Sequence, residues 1–209
     1  MERQTNFNIK SMISQSKQIL LSPSIEKFEE FENSGGVLAA LLYVAIANII
    51  ASIISFTFIN IRLGISITDM ISELSDIFTI ATSFVIPLIQ LTVGALVLFV
   101  IAKFQNTSGS FKQIAYSLSL FWAPLTVIFS IVESVTLLLT LRTGLLNGLV
   151  SLNIVGLLEL IPYFYFSFLA YEASLNKNGR SIVWLSLIIA GFIIEILAKI
   201  IDTLISKII

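Results

Sequence analysis

Apolar residues run along this chain in long blocks separated by short polar stretches. Residues 33–61, 77–102 and 113–132 contain no Asp, Glu, Lys or Arg. Each block is long enough to cross a hydrocarbon core, which needs about 20 helical residues. Residues 143–171 and 181–201 qualify once they are allowed to carry Glu159, or Glu195 with Lys199. The pattern predicts an all-α polytopic membrane protein, a bundle of five transmembrane helices at about 37–59, 81–102, 114–141, 145–171 and 182–205. Residues 1–36 form a cytosolic amphipathic preface and 37–209 the membrane domain.

Three shorter segments show amphipathic periodicity. Ile9, Met12, Ile13, Ile19 and Leu20 make a helical stripe with Lys10, Gln15 and Lys17 off it, as in a helix lying at a membrane surface. In "SPSIEKFEEFENSGG" Ser22 is the expected N-cap, Pro23 the first helical residue and Glu26 a favourable charge at the positive end. Gly35 and Gly36 end that helix. Between spans one and two, Ile67, Met70, Ile71, Leu74 and Phe78 share a face opposite Asp69, Glu73 and Asp76, which predicts a surface helix.

Composition narrows the chemistry. The 209 residues are 56% hydrophobic and 12% charged, more apolar than a soluble domain of this length can conceal. The absence of Cys and His removes disulfides, thiol chemistry, the usual zinc and haem ligands and any Ser-His-Asp relay. No nucleophile–base pair or phosphate loop is visible, so no enzyme, cofactor or metal site is expected. A net charge of −1 gives no footprint for nucleic acid. Lys and Arg are richer on the side of the N-terminus, where Arg3, Lys10, Lys17, Lys27, Lys103, Lys112, Lys177 and Arg180 fall, which predicts N-terminus in and C-terminus out. The Trp and Tyr residues (Tyr43, Tyr116, Trp122, Tyr163, Tyr165, Tyr171, Trp184) all lie in the halves of their spans facing that side, as interfacial aromatics should. The membrane is the cell membrane for a prokaryotic source and the ER or Golgi for a eukaryotic one. "NTS" at Asn106 falls on the cytosolic side and is discounted as a glycosylation site.

The candidate chemistry is an intramembrane polar layer. Asn48, Gln90, Glu159 and Glu195 lie near the middles of their spans, with Glu133 and Lys199 further out at matching depth. Charges at mid-membrane cost about 2.5–3.5 kcal/mol on insertion scales, so they are expected to face the bundle and find partners. Glu195 and Lys199 are four apart on one helix face, and Glu133 is expected beside Lys199. Glu159 is expected to be bonded to Asn48 or Gln90. The layer is either glue that fixes helix register or an ion path. No inverted repeat of the transporter kind is visible. Pro87, Pro124 and Pro162 are expected to bend their helices, the bend at Pro124 aiming span three toward span five. Gly144 with Gly148, and Ala47 with Ala51, mark close helix contacts.

The opening "SPSIEKF" with its Pro23 and Phe28, and "NTSGSFKQIAYSLSLFWAPLTVIFSIVE" with Phe111, Tyr116, Ser117 and Pro124, resemble the Yip family of Ypt/Rab-interacting five-span proteins, particularly its prokaryotic members. The resemblance implies five spans and, in eukaryotic members, binding of prenylated Rab GTPases, complexes among family members, ER-to-Golgi traffic and membrane shaping. This chain departs from those members in lacking their long cytosolic N-terminal region and a "DLYGP"-type motif, which argues against GTPase binding. The expected role is a non-enzymatic membrane scaffold or adaptor working through its cytosolic face. Its partners would be the lipid bilayer and either a membrane protein or a second copy of the chain. The alternative is a small transporter or channel using the Glu/Lys layer.

Overall fold

The computed structural model describes residues 7–63, 77–143, 148–175, 182–193 and Ile196, with the backbone alone for 59–63, 77–84, 140–143 and 148–153. Among them the chain is helical: α1 Ile9–Leu21, α2 Ile25–Phe31, α3 Val37–Leu63, α4 Ile77–Phe104, α5 Phe111–Thr143, α6 Gly148–Leu175 and α7 Ile182–Ile193. Four of these are long and apolar enough to cross a membrane, over Val37–Phe58, Val85–Phe104, Phe111–Leu139 and Ile154–Leu175, and α7 is a shorter apolar helix. The protein is a polytopic membrane bundle. The surface helix expected at about 66–78 and the Gly144–Gly148 pair fall wholly or partly outside the described residues, as do Glu195 and Lys199.

Helices α3 and α5 share the most extensive contact, with α6 packed on the other flank of α5 and α4 touching both α3 and α5. The sequence makes α3 suited to this place. Ala40, Val44, Ala47 and Ala51 are buried at helical spacing, while Leu38, Leu42, Ile49, Ile50 and Ile53 are exposed where lipid would lie. In a membrane there is no hydrophobic gain in hiding Leu from lipid, so small residues go inward and let backbones approach. Ala47 and Ala51 thus do what their spacing indicates. Helices α4, α5 and α6 each continue through their internal proline, at Pro87, Pro124 and Pro162.

The turn between α4 and α5 is built from local hydrogen bonds. Asn106 takes a left-handed conformation, φ 54°. The Thr107 N–H donates to the Ala102 carbonyl and the Asn106 N–H to the Lys103 carbonyl, the two bonds of a Schellman ending. Ser110 and Gln113 then form a capping box. The Gln113 N–H donates to the Ser110 hydroxyl, and Gln113 Oε1 accepts from the Ser110 N–H at 2.9 Å. Gly109 lies against the α6 backbone, where an added Cβ would stand 2.4 Å from the Ser174 carbonyl oxygen.

Two N-terminal expectations need correction. The N-cap of α2 is Ser24, whose hydroxyl accepts from the Lys27 N–H, and Pro23 precedes the cap instead of opening the helix. The second concerns α1, whose buried face is Met12, Gln15, Ser16 and Ile19, whereas Ile13 from the expected stripe is exposed. Here α1 is docked on the end of the bundle, against α5, and α2 packs on α6.

Candidate functional site

Two polar regions stand out, one at the N-terminal end of the bundle and one within the span region. At the end, polar contacts join the cap to the bundle beside an apolar core that includes Met12, Ile19 and Phe28. The Tyr116 hydroxyl donates to Gln15 Oε1 at 2.8 Å and the Tyr43 hydroxyl to the Ser16 hydroxyl at 2.9 Å. Burying these groups unpaired would cost about 1–3 kcal/mol each, so α1 and the two tyrosines satisfy one another. The Gln113 amide, held by its capping box, donates to Glu32 Oε1 at 2.8 Å, and Asn33 Nδ2 donates to the same oxygen. Glu32 is 4% exposed and its Oε2 has no hydrogen-bond partner. Burial pushes its carboxyl above the ordinary carboxylate range, with Glu29 adding repulsion and the Gln113 bond opposing the rise. At the start of α2, by contrast, its own backbone N–H and the Ser24 hydroxyl hold the Glu26 carboxyl below its usual range. Gly35 fits the ring of Tyr116 so closely that a Cβ there would stand 1.8 Å from Cε2.

The second region is a cavity of about 590 Å³ lined by α3, α4, α5, α6 and α7. Asn48, Gln90 and Glu159 all border it, and so does Pro87. The mid-span polar positions on α3, α4 and α6 therefore meet around one space. Their internal bonding differs from expectation. The Asn48 side-chain amide donates to the Val44 carbonyl at 2.8 Å, one turn back on its own helix. No hydrogen bond joins Glu159 to Asn48 or Gln90; its carboxyl lies near Glu133. Glu133 itself is exposed on α5. Glu159 Oε1 is buried with no hydrogen-bond partner. The expected partners Lys199 and Glu195 lie outside the described residues. Pro124 and Pro162 are half-buried in α5 and α6, and neither lines the cavity.

Several lining residues escaped sequence reasoning. Trp122 and Tyr163 meet edge to face at 5.7 Å, and the Tyr163 and Thr126 hydroxyls are 3.3 Å apart. Gly156 and Gly191 also line the space, and a Cβ on either would meet nothing within 4 Å. Their signal was present but weak, since isolated glycines in apolar helices are common and mark close packing as often as a void. On the cap side, Gln15 and Ser16 carried no signal because polar residues beside an apolar stripe are normally solvated.

A family model, the Yip1 domain, matches residues 17–199. No curated protein and no solved structure matches the chain. The match starts within α1, takes in both stretches that carry the resemblance, and covers every residue named around the cavity. The chain belongs to the Yip family of multi-pass membrane proteins.

Proposed function

We propose that this protein is a non-enzymatic membrane scaffold or adaptor that engages a membrane-protein partner through its N-terminal face, with that face in the cytosol. The observation that carries the reading is the docked α1–α2 cap. Its inner face is bonded to Tyr43, Tyr116 and Gln113. Its outer face leaves Ile13 and Leu21 53% and 72% exposed among Lys10, Lys17 and Gln18. Phe104, at the nearby end of α4, is 85% exposed beside Lys103. Apolar side chains held out on a rigid, hydrogen-bonded support are suited to contact with another protein. The excess of Lys and Arg in the N-terminal segment and the α4–α5 turn supports the cytosolic orientation.

The test is site-specific photo-crosslinking in intact cells from positions 13 and 21, with lipid-facing Leu157 as control. A discrete protein adduct at 13 and 21, absent at 157, is the expected result. Only lipid adducts at all three positions would remove the scaffold reading.

A second reading, a small transporter or channel, is favoured by the gathering of Asn48, Gln90 and Glu159 around the cavity. Flux through purified protein in liposomes, abolished by Glu159→Gln, is its signature. Sealed liposomes with no protein-dependent flux are expected for a scaffold.

A further inference from the structure

We propose that the intramembrane cavity binds a membrane-borne amphiphilic amine, its ammonium group received by Glu159 and its apolar body by the helix walls. The site goes beyond the scaffold reading and does not depend on it.

The shape and lining of the space carry the first half of the proposal. At about 590 Å³ it lies within the roughly 300–1,000 Å³ range of small-molecule sites. Its walls are mainly apolar, from Leu98, Leu118, Leu160 and Leu187 to Trp122 and Phe164. Gly156 and Gly191 border it, and a Cβ on either would meet nothing within 4 Å.

The polar groups carry the second half. Among the described polar groups on its wall, Glu159 is the one acid. One N–H of the Asn48 amide donates to the Val44 carbonyl. The Glu159 carboxyl has an oxygen with no partner, and Glu133 lies near it on α5, outside the cavity lining. Among the described residues the one ion pair is Lys27–Glu30, in α2, so no described cation answers these two acids. A hydroxyl could donate one hydrogen bond, whereas an ammonium donates three and also balances charge. A bare metal ion is a poorer fit, because hard cations demand six or more oxygen ligands, and no group of three potential metal-ligating side chains occurs among the described residues. Trp122, Tyr163 and Phe164 add ring faces of the kind that attract cations.

The chain has two tryptophans, and Trp122 lines the cavity, which supplies a direct reporter. Trp184→Phe leaves Trp122 as the sole tryptophan. The full chain in nanodiscs of neutral lipid would be titrated with a bromine-labelled long-chain amine, and separately with the alcohol of equal length, following quenching of Trp122. The amine is expected to saturate at least tenfold lower concentration in the membrane than the alcohol. Glu159→Gln should erase that tenfold difference, and Gly156→Leu, which places a bulky side chain at the cavity wall, should abolish saturable quenching by both. Equal potency of amine and alcohol in the Trp184→Phe protein would overturn the proposal, as it would if the chain's own cation already filled the site. Amine quenching unchanged by both Glu159→Gln and Gly156→Leu would overturn it too, by placing the amine in bulk lipid. Either failure leaves the cap crosslinking result untouched.

Discussion

The two polar regions of this molecule are built on opposite plans. At the cap, hydroxyls and amides are paired across helices, and a glycine is required so that a ring can lie against the backbone. Around the cavity, the amide of Asn48 turns back on its own helix, one oxygen of Glu159 has no partner, and two glycines face open space. Polar residues at the cap therefore act as joints. Those at mid-span make fewer bonds between helices, the Thr126–Tyr163 hydroxyl contact being one.

Four substitutions would break or sharpen this contrast, each read by thermal or denaturant unfolding of the purified protein in detergent. The largest effect is expected from Gly35→Ala, because the new Cβ would overlap the buried Tyr116 ring. A loss of about 2–3 kcal/mol is expected, the upper range for overpacking. Tyr116→Phe comes next, removing the donor to Gln15 and leaving a buried acceptor unpaired, with a loss of about 1–2 kcal/mol.

The third is a pH effect at Glu32. Its carboxyl holds a proton more tightly folded than unfolded, so its contribution is fully present below the ordinary carboxylate pKa and is lost as pH rises through the raised folded value. Stability should therefore fall across that window in the native chain, and Glu32→Gln should flatten the profile there. An unchanged slope would mean that the carboxyl is not buried in the cap. The smallest effect is expected from Gly156→Ala. With nothing within 4 Å of the added methyl, it should be neutral or stabilising by up to about 1 kcal/mol. A loss as large as that of Gly35→Ala would mean that the cavity region is as tightly joined as the cap.

Much of this was legible from the amino acids. The apolar blocks located the four spanning helices because charge is so costly in hydrocarbon, and the same cost brought out Asn48, Gln90 and Glu159 as neighbours in depth. What depth could not give was rotation about each helix axis. Hence Glu159 lies by Glu133 and not against Asn48 or Gln90. The α1 stripe misled for a related reason. Periodicity tells which residues share a face but is silent on what covers it, and here the covering surface is two tyrosine hydroxyls contributed by α3 and α5. Ser22 and Ser24 flank the same proline, and either is chemically fit to cap; the choice of Ser24 rests on where the chain turns.

The partners of the cap are far from it along the chain. Glu32 waits for Gln113, 81 residues later, and Gln15 waits for Tyr116, 101 residues later. A ribosome adding roughly 5–20 residues per second makes α1 and α2 several seconds before the third span exists to receive them. Over that interval α1 has no bundle to dock on, and its Ile9, Met12, Ile13 and Ile19 side chains need another apolar surface. The contact is therefore completed late, since Gln15 and Ser16 find Tyr116 and Tyr43 only once both α3 and α5 have been made.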